Sequence, residues 1–170
     1  MGDSGIIQPW EAWVRSTWLH QWVHSDLWIW PICESLHFIG LSFLFGSVAL
    51  FDLRVLGVAK AIPVMALHRL IPFGIAGFVV NLLTGIVFFS GYPEQYAYNA
   101  AFRVKLVLLV LAGLNAALFY TAIFRDVRTL PAGADAPFKA KLITGISLGA
   151  WIGVLICGRL LTFFRPPFFH

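Results

Sequence analysis

Two ionisable side chains, Glu34 and His37, lie inside a long apolar stretch of this 170-residue sequence, from Trp28 to Arg54. Ionisable residues are costly at membrane depth and usually mark a function there. Glu34 and His37 are three residues apart, so they share one face of a helix. A carboxylate one turn away can hold an imidazole in one tautomer, as it does for many metal-ligating histidines. His37 is therefore the first candidate ligand.

Three basic residues are predicted to reach the depth of His37 from other helices. His37 is about nine residues into its span, on the order of 13 Å at 1.5 Å per residue. In an antiparallel bundle this depth is shared by Arg103 and Lys105 near the start of the third span and by Arg159 near the end of the fourth. Arg159 is the predicted ion-pair partner of Glu34, because an unpaired charge in lipid is costly. Arg103 and Lys105 either extend to the interface or bind the carboxylates of a ligand.

An imidazole in a helical bundle, with cationic groups nearer the interface, suits haem b. The imidazole coordinates the iron, apolar walls hold the macrocycle, and basic groups meet the propionates. A polar network that only ties the helices together is the alternative. The residue types leave the sixth ligand open, with His24 as one option and an open or weakly filled position as the other.

Two further groups of histidines are weaker candidates. His68 is predicted to lie roughly 20 Å from His37 in depth, so one iron cannot bind both. His68 is then either an interfacial histidine or a ligand in a second site. His20 and His24 lie one helical turn apart, a spacing that can bind a metal, although two hydrated interfacial histidines are the simpler interpretation.

The composition indicates that these residues sit in membrane-spanning helices. Hydrophobic residues make up 59% of the chain and charged residues 12%, against about 25% charged residues in soluble domains. The mean hydropathy is +0.82. Twelve Lys and Arg outnumber eight Asp and Glu, but basic residues in short loops fix membrane orientation, and no nucleic-acid partner is expected. Cys33 and Cys157 lack metal-type spacing and are expected to be apolar free thiols.

Four apolar runs are each about 20 residues or longer, enough to cross a hydrocarbon core of about 30 Å. They are predicted at residues 28–54, 70–89, 102–124 and 142–164, joined by polar, turn-rich connections. The predicted fold is all-α, an integral membrane four-helix bundle over residues 28–170. A Trp-rich segment, residues 1–27, precedes it. Since Trp favours the headgroup level, residues 8–24 are predicted to form one interfacial helix beginning near Pro9.

The distribution of basic residues predicts the orientation in a bacterial inner membrane. Short cytoplasmic loops are enriched in Lys and Arg. The first and third loops hold seven basic residues and the opposite side holds five, so a multi-pass protein with both termini periplasmic is predicted. The seven are Arg54, Lys60, Arg69, Arg125, Arg128, Lys139 and Lys141, and the five are Arg15, Arg103, Lys105, Arg159 and Arg165.

Small residues form stripes that are typical of close helix packing in membranes. The alternative is that the glycines make room for a flat cofactor between helices. The stripes comprise Gly40 and Ser47 in the first span, Gly74, Gly77, Asn81 and Thr84 in the second, Ala112, Asn115 and Ala116 in the third, and Gly145, Gly149 and Gly153 in the fourth.

Four segments, ESLHFIG, LFDLR, HRLIPFGIAGFVVNLLTG and AFRVKLVLLVLAGLNA, resemble a bacterial four-helix integral membrane family without an assigned activity. More loosely, residues 31–164 resemble the HemJ-type protoporphyrinogen IX oxidases and the copper-resistance D-like membrane domains. In HemJ-type proteins a Leu-His pair near the start of the first span and a Lys opening the third are thought essential, and the proteins bind haem b. Leu36-His37 and Lys105 match these positions, and Arg54 matches a basic residue ending the first span.

The leading hypothesis is therefore a haem-b-binding membrane protein with a redox or electron-transfer role and His37 as axial ligand. One alternative is a non-catalytic structural or assembly subunit of a larger membrane complex. A further alternative is a porphyrinogen or quinone oxidoreductase acting near His37 and Lys105. Expected partners are the lipid bilayer and either a larger membrane complex or a quinone.

Overall fold

Four helical stretches of the computed structural model, which describes residues 8–164, are long and apolar enough to cross a membrane: Ile29–Leu56, Val64–Gly91, Ala100–Arg128 and Phe138–Leu160. The predicted all-α, four-helix membrane bundle is confirmed. Arg165 and the outermost residues of both predicted segments lie outside the described part of the chain. In chain order the helices are α1 (Pro9–Ser16), α2 (Trp18–Val23), α3 (Ile29–Leu56), α4 (Val64–His68), α5 (Ile71–Gly91), α6 (Pro93–Ala97), α7 (Ala100–Leu118), a π-helical turn (Phe119–Ile123), α8 (Phe124–Arg128) and α9 (Phe138–Leu160).

The N-terminal segment forms two short helices, so the prediction of a single helix over residues 8–24 is wrong. Thr17 interrupts it with an extended backbone (φ −72°, ψ 149°) and accepts a hydrogen bond from the His20 amide to cap α2. Thr favours such capping positions because its hydroxyl replaces a missing backbone partner. At the start of α1 the carboxylate of Glu11, a buried residue, accepts a hydrogen bond from the Gln8 amide at 3.2 Å.

These two helices pack against the end of the bundle where α5 meets α6. The Trp10 ring stacks on Phe89 with 6.5 Å between centroids, and Arg15 forms an ion pair of 3.0 Å with Glu94. His20 donates from Nδ1 to the Ser90 carbonyl at 2.8 Å. The segment is therefore joined to one end of the bundle by aromatic, ionic and hydrogen-bonded contacts.

The four spans pack side by side in the order α5, α3, α9 and α7. Helix α3 packs on α5 and α9, and α7 packs on α9, whereas the α5 and α7 backbones do not pack closely on each other. The bundle therefore has a cleft between α5 and α7. Near α6 the Phe89 ring of α5 stacks on the Phe102 ring of α7 with 6.1 Å between centroids.

The tightest helix contact joins α3 and α5 at small residues. A Cβ atom at Gly77 would collide with the Gly40 carbonyl oxygen and come within 2.8 Å of the Leu44 amide nitrogen. A Cβ atom at Gly74 would lie 3.1 Å from the Ser47 Cβ. The prediction that this stripe is a packing seam is confirmed, because only the absence of side chains lets the two backbones approach.

The small residues of α9 and the two span asparagines only partly follow the predicted pattern. Among residues 8–164 the Cβ position of Gly149 has no neighbour within 4 Å, so the α9 stripe is not a continuous seam, although a Cβ atom at Gly153 would lie 2.9 Å from a Leu108 methyl group. Asn115 donates to the Ile143 carbonyl across helices at 3.2 Å. Asn81 instead donates to Gly77 one turn back in its own helix, at 2.9 Å.

The opposite end of the bundle is tied together by Arg54, which is 1% exposed. Its Nε donates to the Ile62 carbonyl, and its terminal nitrogens reach the Ala134 carbonyl at 3.4 and 3.5 Å. Asp135 pairs with Lys60 at 3.2 Å and with Lys141 at 2.7 Å, and the hydrogen bonds from these two ammonium groups lower the pKa of Asp135. Arg54 is thus a structural link between the first and third loops.

The α3–α5 seam predicts a position-specific loss of stability. Replacing Gly77 with Ala should lower the free energy of unfolding by about 1–3 kcal/mol, because the backbones must separate to admit the methyl group. Titration of the detergent-solubilised protein with a denaturing detergent measures this change. Gly46 is the matched control, since its Cβ position has no neighbour within 4 Å. Gly46→Ala should leave stability unchanged or raise it slightly, and equal losses in both variants would contradict the seam.

Candidate functional site

A cavity of about 550 Å³ lies between the spans, in the half of the bundle nearest α6. Four of the residues singled out by sequence, Glu34, His37, Lys105 and Arg159, line this one cavity. The fifth, Arg103, is not among its lining residues and donates from Nε to the Ala97 carbonyl at 3.0 Å. The remaining wall is largely apolar and aromatic, and includes Trp30, Phe38, Leu41, Phe88, Phe102, Val154 and Leu155.

The half-buried His37 ring is oriented by Thr84 of α5. Its Nδ1 lies 2.7 Å from the Thr84 Oγ1, and the same hydroxyl donates to the Val80 carbonyl at 2.8 Å. A threonine hydroxyl has one hydrogen, and with that hydrogen directed to the Val80 carbonyl the oxygen accepts from His37. The geometry therefore assigns the proton of the neutral ring to Nδ1 and leaves the Nε2 lone pair available to a ligand. Glu34 was expected to hold the imidazole, and that expectation is corrected.

Glu34 does not form its predicted ion pair with Arg159. Among residues 8–164 the ion pairs are those of Arg15 with Glu94 and of Asp135 with two lysines, and the Arg159 guanidinium lies 5.5 Å from the Phe163 ring centroid. Glu34 instead lies near Tyr96, where burial and then the negative charge of Glu34 raise the pKa of the phenol to about 12. Lys105 and Arg159 on the cavity wall thus have no ion pair with a carboxylate among residues 8–164.

The cavity is closed toward α6 by side chains that the sequence did not single out. Tyr96 and Gln95 line it from α6, and Asn99, which is 1% exposed, lines it just before α7. Asn99 accepts from the Ala101 amide at 2.9 Å and donates to the Leu161 carbonyl at 3.0 Å. Asn is a favoured capping residue, so the position of Asn99 just before the third apolar run is the sequence feature that could have predicted its capping role.

His24, the speculative sixth ligand, is not among the cavity's lining residues. Its Nδ1 donates to the His20 carbonyl at 2.8 Å, and its ring packs on Tyr92 with 5.4 Å between centroids. The imidazole rings of His20 and His24 lie 4.4 Å apart, centroid to centroid.

His68 lies at the opposite end of the bundle, on α4. A hydrogen bond of 3.2 Å joins its Nε2 to the Tyr120 hydroxyl, and its ring packs against Phe51 and Phe124. In the described part of the chain no group of three or more His, Cys, Asp or Glu side chains could hold a metal ion. The structure therefore separates His68 from His37, and the role of His68 in a second site remains a prediction.

Four candidate membrane spans around an interhelical cavity define the class, a multi-pass integral membrane protein. Comparisons with protein-family models, with curated proteins and with solved structures gave no match. The function must therefore be argued from the chemistry of the cavity.

The hydrogen bonding around Thr84 predicts the tautomer of His37. Nitrogen-15 NMR of protein with labelled histidine should show a neutral His37 ring protonated at Nδ1, with the resonance assigned through a His37→Gln difference spectrum. Thr84→Val removes the acceptor and should shift the ring toward the Nε2-protonated form. Wild-type protein protonated at Nε2 would contradict the assigned geometry. Thr121→Val is a matched control, because that threonine also bonds back to its own helix but does not contact His37.

Proposed function

We propose that this protein binds haem b and has a redox or electron-transfer role, with His37 as the axial ligand. The observation that carries the proposal is the combination of an available imidazole nitrogen with two cationic side chains on one apolar cavity. Its volume of about 550 Å³ falls in the range typical of cofactor sites, about 300–1,000 Å³. Haem b would supply one-electron chemistry at this position.

Different residues of the cavity wall would make different contacts with haem b. Thr84 would fix the His37 ring through Nδ1, as the outer hydrogen-bond partner of a metal-ligating histidine does. Lys105 and Arg159 would pair with the two propionates, since guanidinium and ammonium groups bind carboxylates well. The aromatic wall would exclude water. Gly85 would leave room for the macrocycle, because no other element among residues 8–164 comes within 4 Å of its Cβ position.

The proposed sixth position is open or weakly filled. His24 packs on Tyr92 and is not among the cavity's lining residues, so it is not part of the proposed ligand set. Tyr96 and Glu34, which do line the cavity, would contribute polar groups beside the bound cofactor.

We further propose that the cavity faces the periplasmic side of a bacterial inner membrane. The support is the excess of Lys and Arg in the first and third loops, which the positive-inside rule assigns to the cytoplasm. An even number of spans then returns both ends of the chain to the periplasmic side. In this orientation a membrane quinone or a larger membrane complex would be the electron-exchange partner.

Removal of His37 should abolish cofactor retention. Wild-type protein expressed with a haem supply should show a Soret band and a pyridine haemochrome spectrum of haem b, and His37→Ala should lose both. Thr84→Val should weaken retention by about 10- to 100-fold. His68→Ala, at the other end of the bundle, is the matched control and should retain haem. Absence of a Soret band and of acid-acetone-extractable haem in the wild-type protein would overturn the proposal.

A bulky side chain placed in the cavity should also abolish haem retention, although no ligating residue is changed. Gly85→Leu places a side chain in the open volume and should displace the cofactor while the protein stays folded, as monitored by circular dichroism and the Soret band together. Gly46→Leu is the control, because its Cβ position is equally open but Gly46 does not line this cavity. Normal haem binding by Gly85→Leu would place the cofactor elsewhere.

Exposed tryptophans favour a second candidate function, that of a structural or assembly subunit. Trp13, Trp18 and Trp28 are each at least 70% exposed, and large aromatic side chains are enriched at protein interfaces as well as at lipid headgroups. Co-purification in a larger complex after mild detergent extraction, with no bound haem, would favour this function. The remaining alternative, a porphyrinogen or quinone oxidoreductase, is tested by complementation of a strain that lacks protoporphyrinogen oxidase.

A further inference from the structure

A second cavity, of about 380 Å³, lies in the opposite half of the bundle and takes no part in the proposed haem site. It is bounded by the C-terminal half of α3, the start of α5, the end of α7 with its π-helical turn, and the start of α9. π-Helical turns are rare and frequently occur at functional sites. Aromatic side chains supply much of the wall: Phe51, Phe78, Phe119, Tyr120 and Trp151.

Asp52 is the acidic residue on this wall and is only 4% exposed. Ser147 lines the same cavity, but among residues 8–164 the buried Asp52 Oδ2 has no hydrogen-bond partner. Arg54, two residues further along α3, is committed to the Ile62 and Ala134 carbonyls. No basic side chain among residues 8–164 lies within 4 Å of Asp52. The site therefore has an unsatisfied acceptor.

The cavity is bordered by the cleft between α5 and α7. Ile75 and Phe78 line it from α5 and are 60% and 40% exposed, and Gly113 lines it from α7 with no atom within 4 Å of its Cβ position. Since both helices are membrane spans, the exposed surface here faces lipid. A ligand would reach Asp52 laterally from the bilayer, so it must dissolve in lipid.

We propose that this cavity binds a protonated lipophilic amine, with the ammonium group paired to Asp52 and the apolar body among the aromatic side chains. An uncompensated carboxylate in a low-dielectric site is costly, and a cation that also donates a hydrogen bond removes both penalties. Aromatic faces attract cations further. A neutral hydroxyl compound satisfies only the hydrogen bond, so charge distinguishes the ligand class.

The test compares 2-phenylethylamine with its neutral analogue 2-phenylethanol. Binding of each to full-length protein in lipid nanodiscs is measured by equilibrium dialysis against empty nanodiscs, which corrects for partitioning into lipid. The amine should bind about 10- to 100-fold more tightly than the alcohol, the effect expected for a hydrogen bond to a charged group. Equal corrected affinities would overturn the proposal.

Variants locate the binding. Asp52→Asn should reduce amine binding to the level of the alcohol, whereas Glu34→Gln, in the other cavity, should leave it unchanged. Gly113→Leu should weaken the binding of both the amine and the alcohol, because the leucine side chain would fill the side of the cavity that borders the cleft between α5 and α7. This variant tests the binding site if Asp52→Asn does not fold. Unchanged amine binding in Asp52→Asn or Gly113→Leu would overturn the site. Haem retention by Asp52→Asn is measured independently from the Soret band. A failure of the amine proposal can therefore be distinguished from a failure of the haem proposal.

Discussion

The contact between the α3 and α5 backbones at Gly40 and Gly77 determines much of the remaining structure. Because side chains are absent there, the two helices approach closely enough for Thr84 of α5 to reach the His37 imidazole of α3. Packing between membrane helices relies on such van der Waals contact and on interhelical hydrogen bonds, since lipid provides little hydrophobic drive. The glycines and the His37–Thr84 hydrogen bond are therefore parts of one interface. A bulkier residue at the seam would alter the orientation of the candidate ligand as well as the stability.

Charge burial is handled differently at the two ends of the bundle. Arg54 is fully surrounded, yet backbone carbonyls from two loops satisfy its guanidinium, which is how a buried cation is tolerated without a carboxylate. At the other end, Lys105 and Arg159 line an open cavity whose carboxylate, Glu34, lies near Tyr96 instead. Since neither cation forms an ion pair with a carboxylate in the described part of the chain, both are available to an anionic ligand, and this availability is the electrostatic basis of the haem proposal.

The spans and the grouping of Glu34, His37, Lys105 and Arg159 could be predicted from sequence, because apolar length and antiparallel connection fix depth along the membrane normal. Depth says nothing about rotation around each helix axis. For that reason the spacing rule assigned His37 a partner on its own helix, Glu34, whereas the structure supplies Thr84 from a neighbour. The same uncertainty in rotation misassigned Gly149, which faces open space. The break between α1 and α2 depends on local sequence. The sequence feature that indicates it is Thr17, a residue suited to helix capping that precedes His20 by three positions and accepts a hydrogen bond from its amide.

The open cleft between α5 and α7 gives the bundle two cavities of unlike chemistry. The helices α3 and α9 form a central pair, and the backbones of the outer helices α5 and α7 do not pack on each other. The half near α6 combines an imidazole with cations, and the other half holds a carboxylate with an unsatisfied oxygen. The ionisable groups differ at the two depths, because the cavity near α6 is lined by His37, Glu34 and two cations, whereas the other cavity is lined by Asp52. The two cavities are therefore assigned separately, and His68, which is hydrogen-bonded to Tyr120 on the wall of the second, lies at the end of the bundle that holds Asp52.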